Sequence, residues 1–196
     1  MGKYPVTQAQ YQAVMGKNPS RFTEDGKNRP VEKVSWHEFC DKISEQTGAA
    51  FRLPSEAEWE YACRAGTTTP FHFGETISTD VANYNSDYTY GNGTKGTYRG
   101  ETTKVGNFPP NAFGLYDMHG NVFELCQDVW HDSYESAPAD GSAWIEGGNQ
   151  ERPVLRGGSW NDAPWDCRSA YRSFLAPVFI YSGLGFRVVC SAPRAL

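Results

Sequence analysis

The sequence lacks any apolar stretch of membrane-spanning length and any secretory signal, so no spanning segment is expected in it. It lacks a basic block. Its 18 Lys and Arg stand against 23 Asp and Glu, a formal net charge of −5, which is not the electrostatic footprint of a nucleic-acid binder. No pair of its 5 cysteines has the CxxC spacing of a zinc site. An odd cysteine count without a signal favours free thiols in a reducing compartment, and a cytoplasmic address is the expectation for the chain as it stands. There is no P-loop, no dinucleotide-binding Gly-rich turn and no Ser-His-Asp grouping. What is abundant is rings and turns: aromatics make up 14%, with 20 Gly and 12 Pro. The 196 residues are enough for one domain, 1–196, rich in loops and cored by large rings.

Three capping boxes punctuate the first third. Thr7 with Gln10 opens a helix whose Tyr11, Val14 and Met15 share a face, and Gly16 stops it. Ser35 with Glu38 opens a second, with Trp36, Phe39, Cys40 and Ile43 inward and Gly48 at its close. Ser55 with Glu58 opens a third, with Trp59, Ala62 and Cys63 inward and Gly66 at its end. Val31 to Val34 is a short strand candidate. Thr67 to Asn111 is irregular, with a tight turn at Gly91-Asn92-Gly93. Near the end, Pro153–Arg156 and Gly185–Val189 are β-like stretches around a loop-like interior. Ser173 to Leu184 carries no charge, and its Pro and Gly argue against one regular element. There is little room ahead of the first helix for a strand.

Several stretches together resemble the formylglycine-generating-enzyme, or sulfatase-modifying-factor, type of domain. They are Lys3 to Tyr11, Pro30 to Trp36, Arg52 to Ala62, Gly114 to Glu124, Leu155-Arg-Gly-Gly-Ser-Trp160 and Gly185-Phe-Arg-Val188, in that order over nearly the whole chain. The resemblance implies an α+β, C-type-lectin-like fold: two or three helices around a small twisted antiparallel sheet, with over half the chain in loops. It also implies an N-terminal strand, so that either the chain is a fragment or the domain tolerates a truncated sheet edge.

Oxygen-dependent members of that family hold copper with two cysteines just after the Gly-Gly-Ser-aromatic motif. Here Gly157-Gly-Ser-Trp160 leads to Asp162 at the first cysteine position, and only Cys167 stands at the second. One thiolate beside a carboxylate is a poor copper(I) site, so no copper and no catalytic residue are expected. His37, His72, His119 and His131 show no ligand spacing, and Glu56, Glu58 and Glu60 read as capping residues and a solvated helix face. The resemblance places a structural calcium on Asp117, Gly120, Val122 and Glu124, and the hard oxygen ligands of that stretch suit Ca2+.

The C-terminal segment also resembles the variable proteins of diversity-generating retroelements, in which adenine-specific mutagenesis rewrites Asn-type codons. Every residue from Ser173 to Gly183 is reachable from such codons, as are Asp162, Ala163, Asp166 and Tyr171, whereas Trp165 is not. The implied ligand-binding segment is about 160–184. Its candidate contacts in the first half are Asp162, Ala163, Trp165, Asp166, Tyr171, Ser173 and Phe174. Those in the second half are Leu175, Ala176, Val178, Phe179, Ile180, Tyr181, Ser182 and Gly183. A patch this rich in rings and aliphatics suits a protein ligand. The expected function is non-enzymatic ligand binding. The alternatives are an oxidoreductase of the formylglycine-generating type and a fixed-ligand interaction module.

Overall fold

The structure, a computed structural model, describes residues 1–34, 36–174 and 181–191. Its helices are α1 (Gln8–Met15), α2 (His37–Thr47) and α3 (Glu56–Arg64), with 3-10 turns at Gly26–Asn28 and Pro164–Cys167. Its strands are β1 (Ala50–Arg52), β2 (Phe123–Trp130), β3 (Asn149–Arg156), β4 (Ser173–Phe174), β5 (Leu184–Gly185) and β6 (Val189–Ser191). β1 pairs with β6, and the others form a sheet in the order β4-β3-β2-β5. The α+β class is as expected, but the larger sheet is mixed. β2–β3 and β3–β4 are antiparallel, and β5 lies parallel to β2. β4 and β5 therefore run in the same direction at opposite edges of the sheet.

The helices begin where local chemistry starts them. Thr7 and Ser55 each accept the amide of the residue three ahead, and Gln10 and Glu58 reach back to the cap amides. The expected cap of α2, Ser35, lies outside the described residues. Gly16 and Gly48 end α1 and α2 in the left-handed conformation. α3 ends one residue earlier than expected, on Ala65 at φ 45°. Val31 to Val34 forms no strand, because Lys33 turns the backbone to φ 61°. Val31 and Val34 are buried all the same.

No N-terminal strand forms, yet residues 2–6 line the C-terminal chain. The Gly2 amide donates to the Val188 carbonyl at 2.7 Å and the Val6 amide to Phe186 at 2.9 Å. The Val31 amide then donates to Val6 at 2.8 Å. The expected strand Gly185–Val189 is split for a related reason: Phe186 to Val188 pair with this segment instead of with the sheet.

Rings fill the core. Tyr11 stacks on Phe39 with centroids 5.5 Å apart, and Phe186 meets Phe39 edge-on at 5.3 Å. A second cluster joins Trp59, Cys63, Met118, Cys126 and Val154 between α3 and the sheet, and a third packs Phe71, Ile77, Tyr84 and Cys167 beneath the long loop. Removing one such fully buried ring costs about 3–5 kcal/mol. Arg156 and Arg187 are among the largest fully buried side chains, so the core also contains charge.

Candidate ligand-binding face

The 160–184 segment follows a crowded left-handed turn that suits glycine. Gly158 sits at φ 72°, and a Cβ there would lie 2.6 Å from the Cys167 sulfur. The chain then passes through Trp160, whose ring meets Phe22 edge-on at 5.3 Å. From there the frame holds the segment by its main chain. Trp160 Nε1 donates to the Ser182 carbonyl at 3.0 Å, the Asn85 amide to the Asp162 carbonyl at 2.9 Å, and the Phe123 amide to the Gly183 carbonyl at 2.7 Å. Buried Arg156 donates to the carbonyls of Ser169 at 2.8 Å and Tyr171 at 2.6 Å. Ser173 and Phe174 pair with Leu155 and Val154 of β3. Sequence reasoning missed the role of Arg156; an arginine inside an apolar strand run was the available signal.

The candidate contacts divide by exposure. Trp165 is 42% exposed and meets Tyr88, 51% exposed, with ring centroids 5.4 Å apart. Asp162, Asp166, Ser173 and Ser182 are half-buried. Burial raises both carboxyls, while Ser159 bonds Asp162 and Tyr171 bonds Asp166. Ala163 and Gly183 are buried and offer no side chain to a ligand, because Ala163 enters the Pro164–Cys167 turn and Gly183 faces the Ser159 and Asn161 side chains. Tyr171 and Tyr181 are half-buried and pack on the main core, and burial pushes the Tyr171 hydroxyl up to about 12 and Tyr181 higher still. Phe174 lies 5.0 Å from Trp130 and carries the Arg152 guanidinium 4.5 Å from its centroid. The described rings of the segment are therefore not all outward, as an adhesive patch would have them: Tyr171 and Tyr181 pack on the core and Phe174 on Trp130, while Trp165 is exposed. Leu175, Ala176, Val178, Phe179 and Ile180 lie outside the described residues.

Cys167, the one cysteine at a family catalytic position, has no exposed surface, and its thiol is pushed well above its ordinary value by burial and then by Asp162 and Asp166. Its neighbourhood is closed. The His119 Nδ1 lies 2.7 Å from the Cys167 carbonyl, the His72 amide donates to His119 Nε2 at 3.1 Å, and Cys63 Sγ lies 3.7 Å from the same nitrogen. His119 is thus the neutral Nδ1–H tautomer by its hydrogen bonds. Burial, then the adjacent His72, lowers it to about 3. Cys63, Cys167 and His119 are buried together here, with half-buried His72 beside them, and burial raises both thiols.

In the stretch expected to hold calcium, Asp117 and Glu124 are buried, and Asp117 Oδ1 has no hydrogen-bond partner. Both Glu124 oxygens are taken: Arg187 Nε and Nη2 donate to them at 2.6 and 2.7 Å, and Trp59 Nε1 donates to Oε2 at 2.7 Å. Asp117 gives one oxygen to the Gly106 amide at 2.7 Å, and burial raises its carboxyl to about 6. The Gly120 carbonyl accepts from the Val122 amide at 3.0 Å. Glu56 is likewise not a solvated helix residue. It is buried, with Arg172 on both its oxygens at 2.6 and 2.9 Å.

Residues 1–192 match the sulfatase-modifying factor enzyme 1-like domain. The chain belongs to that family. Its relatives and structural neighbours point in more than one functional direction. It is 36% identical to the formylglycine-generating enzyme of Mus musculus over 180 residues, which cover 84% of this chain and 44% of the enzyme. PvdO from Pseudomonas aeruginosa superposes with a TM-score of 0.79 at 35% identity, covering 97% of this chain and 79% of that one. Treponema denticola variable protein 1 superposes with a TM-score of 0.76 at 30% identity, covering 96% and 83%. The chain spans less than half the length of that mouse enzyme and 23% of the Chlamydia pneumoniae serine/threonine-protein kinase pkn1. This sulfatase-modifying-factor domain therefore has the C-type-lectin-like fold shared with a variable protein, in a family that includes enzymes. Among its described residues no helix is long and apolar enough to cross a membrane.

Proposed function

We propose that this chain is a non-enzymatic binding protein that presents a diversified 160–184 face to a protein partner. The observation that carries the reading is how the frame grips that segment. Arg156, Asn85 and Phe123 bond its carbonyls at Ser169, Tyr171, Asp162 and Gly183, and Trp160, at the segment's own start, bonds that of Ser182. Bonds to the main chain survive a change of side chain, so exposed positions can be rewritten at little cost to the fold. The similarity to a variable protein supports the same reading. The buried Cys167, with Asp162 in place of a second cysteine, argues against the oxidase alternative.

Two experiments test it. Sequencing the locus should reveal a reverse transcriptase and a near-identical repeat of the 160–184 coding segment that differs at adenines; a single copy with no such neighbours overturns diversification. Purified protein offered copper(I), oxygen and a cysteine peptide should consume no oxygen and leave the peptide thiol intact. Turnover would restore the enzyme.

A further inference from the structure

A cavity of about 300 Å³ opens between α3 and residues 134–144, outside the 160–184 segment. Its walls carry the rings of Tyr61, Tyr134 and Trp144 and the carboxylates of Glu56, Glu60 and Asp128, and no Lys, Arg or His side chain lines it. The arginines that balance Glu56 and Glu60 approach from elsewhere: Arg156 beneath them is fully buried, Arg172 holds Glu56, and Arg64 holds Glu60 at 2.8 Å. Asp128 is treated differently. Its oxygens accept the amides of Glu56 at 2.7 Å and Trp144 at 2.9 Å. Burial, and then the nearby Glu56, raise its carboxyl.

The rings suit a positive guest. Tyr134 already carries a guanidinium on its ring, with the Arg172 carbon 4.3 Å from the centroid. Trp144 stacks on His131 at 3.5 Å, and His131 lines a neighbouring cavity, so the indole is the partition between the two spaces. A cation set against an aromatic face and beside a carboxylate gains from both.

We propose that this cavity binds an organic cation of the alkylammonium class, as a lysine side chain or a free amine would supply. The site stands independently of the reading of the 160–184 face. Its test uses the whole chain and n-butylammonium, with n-butanol as the neutral isostere and a blocked Gly-Lys-Gly peptide as the protein-side source. The Trp144 indole N–H resonance should shift saturably with butylammonium and with the peptide, and not with butanol. The tighter of the two cations identifies the source. Ala57, an exposed α3 residue on the cavity wall, supplies the control. Ala57→Arg, which tethers a competing cation there, should leave the melting temperature unchanged and weaken butylammonium about tenfold or more. No saturable shift, an equal response to butanol, or binding indifferent to Ala57→Arg would overturn the proposal.

Discussion

Arg187 closes on Glu124 with two nitrogens, Nε to Oε2 at 2.6 Å and Nη2 to Oε1 at 2.7 Å, and neither side chain reaches solvent. Arg187 also donates to the carbonyls of Gly2 at 3.0 Å and Tyr116 at 2.9 Å. One guanidinium thus joins β2, the N-terminal segment and the residues between β5 and β6. Arg187→Met would strand a buried carboxylate. Chemical denaturation should show a loss of about 3–5 kcal/mol. The double variant Glu124→Gln with Arg187→Met should lose less than Arg187→Met alone; an equal or larger loss would show that the pairing itself carries little.

Trp165 and Tyr181 should behave in opposite ways. Trp165 is 42% exposed, so Trp165→Ser should change stability by no more than about 0.5 kcal/mol. Tyr181 packs on the main core, and Tyr181→Ser should cost about 2–4 kcal/mol. Thermal melts of the two variants decide this. A neutral Tyr181→Ser would mean the ring is free to be a contact.

Thiol labelling should be strongly uneven. Cys40, Cys63, Cys126 and Cys167 are buried and Cys190 is exposed. Burial pushes Cys40 up to about 11 and Cys63 to about 12. A maleimide added to native protein should modify Cys190 quickly and the other four only as the chain unfolds. Rapid native labelling of Cys167 would contradict its burial.

The His119 pocket makes a pH prediction with a definite sign. Its folded value of about 3, and about 4 for His72, lie below the ordinary histidine value because burial disfavours the charged ring. The unfolded chain then binds more protons between those values and about 6.5, so this contribution is complete above about 6.5 and is lost as pH falls through the window. Asp117 has the opposite sign. Its raised folded value, about 6, means its contribution is present at low pH and lost as pH rises through that value. The stability advantage of wild type over His119→Gln should therefore shrink from pH 7 to pH 4. Asp117→Asn should gain on wild type over the same range as pH rises. Denaturation series at several pH values check both, and a pH-independent difference for His119→Gln would refute the assignment.

Local chemistry was readable and distant chemistry was not. The boxes at Thr7 and Ser55 and the glycines at 16 and 48 announced their helix ends, because each acts within four residues. β2 gave no alternation to read: Phe123 to Asp128 is nearly all buried on both faces, with Glu124 among them. The partner of Glu124, Arg187, lies 63 residues on and could not be read from the local stretch. Glu56 looked solvated because Arg172 lies 116 residues away. In the candidate face, Trp165 is the exposed ring among the described contacts. Ala163, Tyr171, Tyr181 and Gly183 were not separable from it, since a loop's inward and outward positions follow no fixed period.

The two outermost strands of the larger sheet, Ser173–Phe174 and Leu184–Gly185, are each two residues long. A rim that short, among the described residues, leaves few bare amides and carbonyls for a second molecule to zip onto. Sequence drift in the intervening stretch toward greasy residues would, on a long flat border, invite fibres. The two described borders, Ser173–Phe174 and Leu184–Gly185, give copies of this chain little to template on.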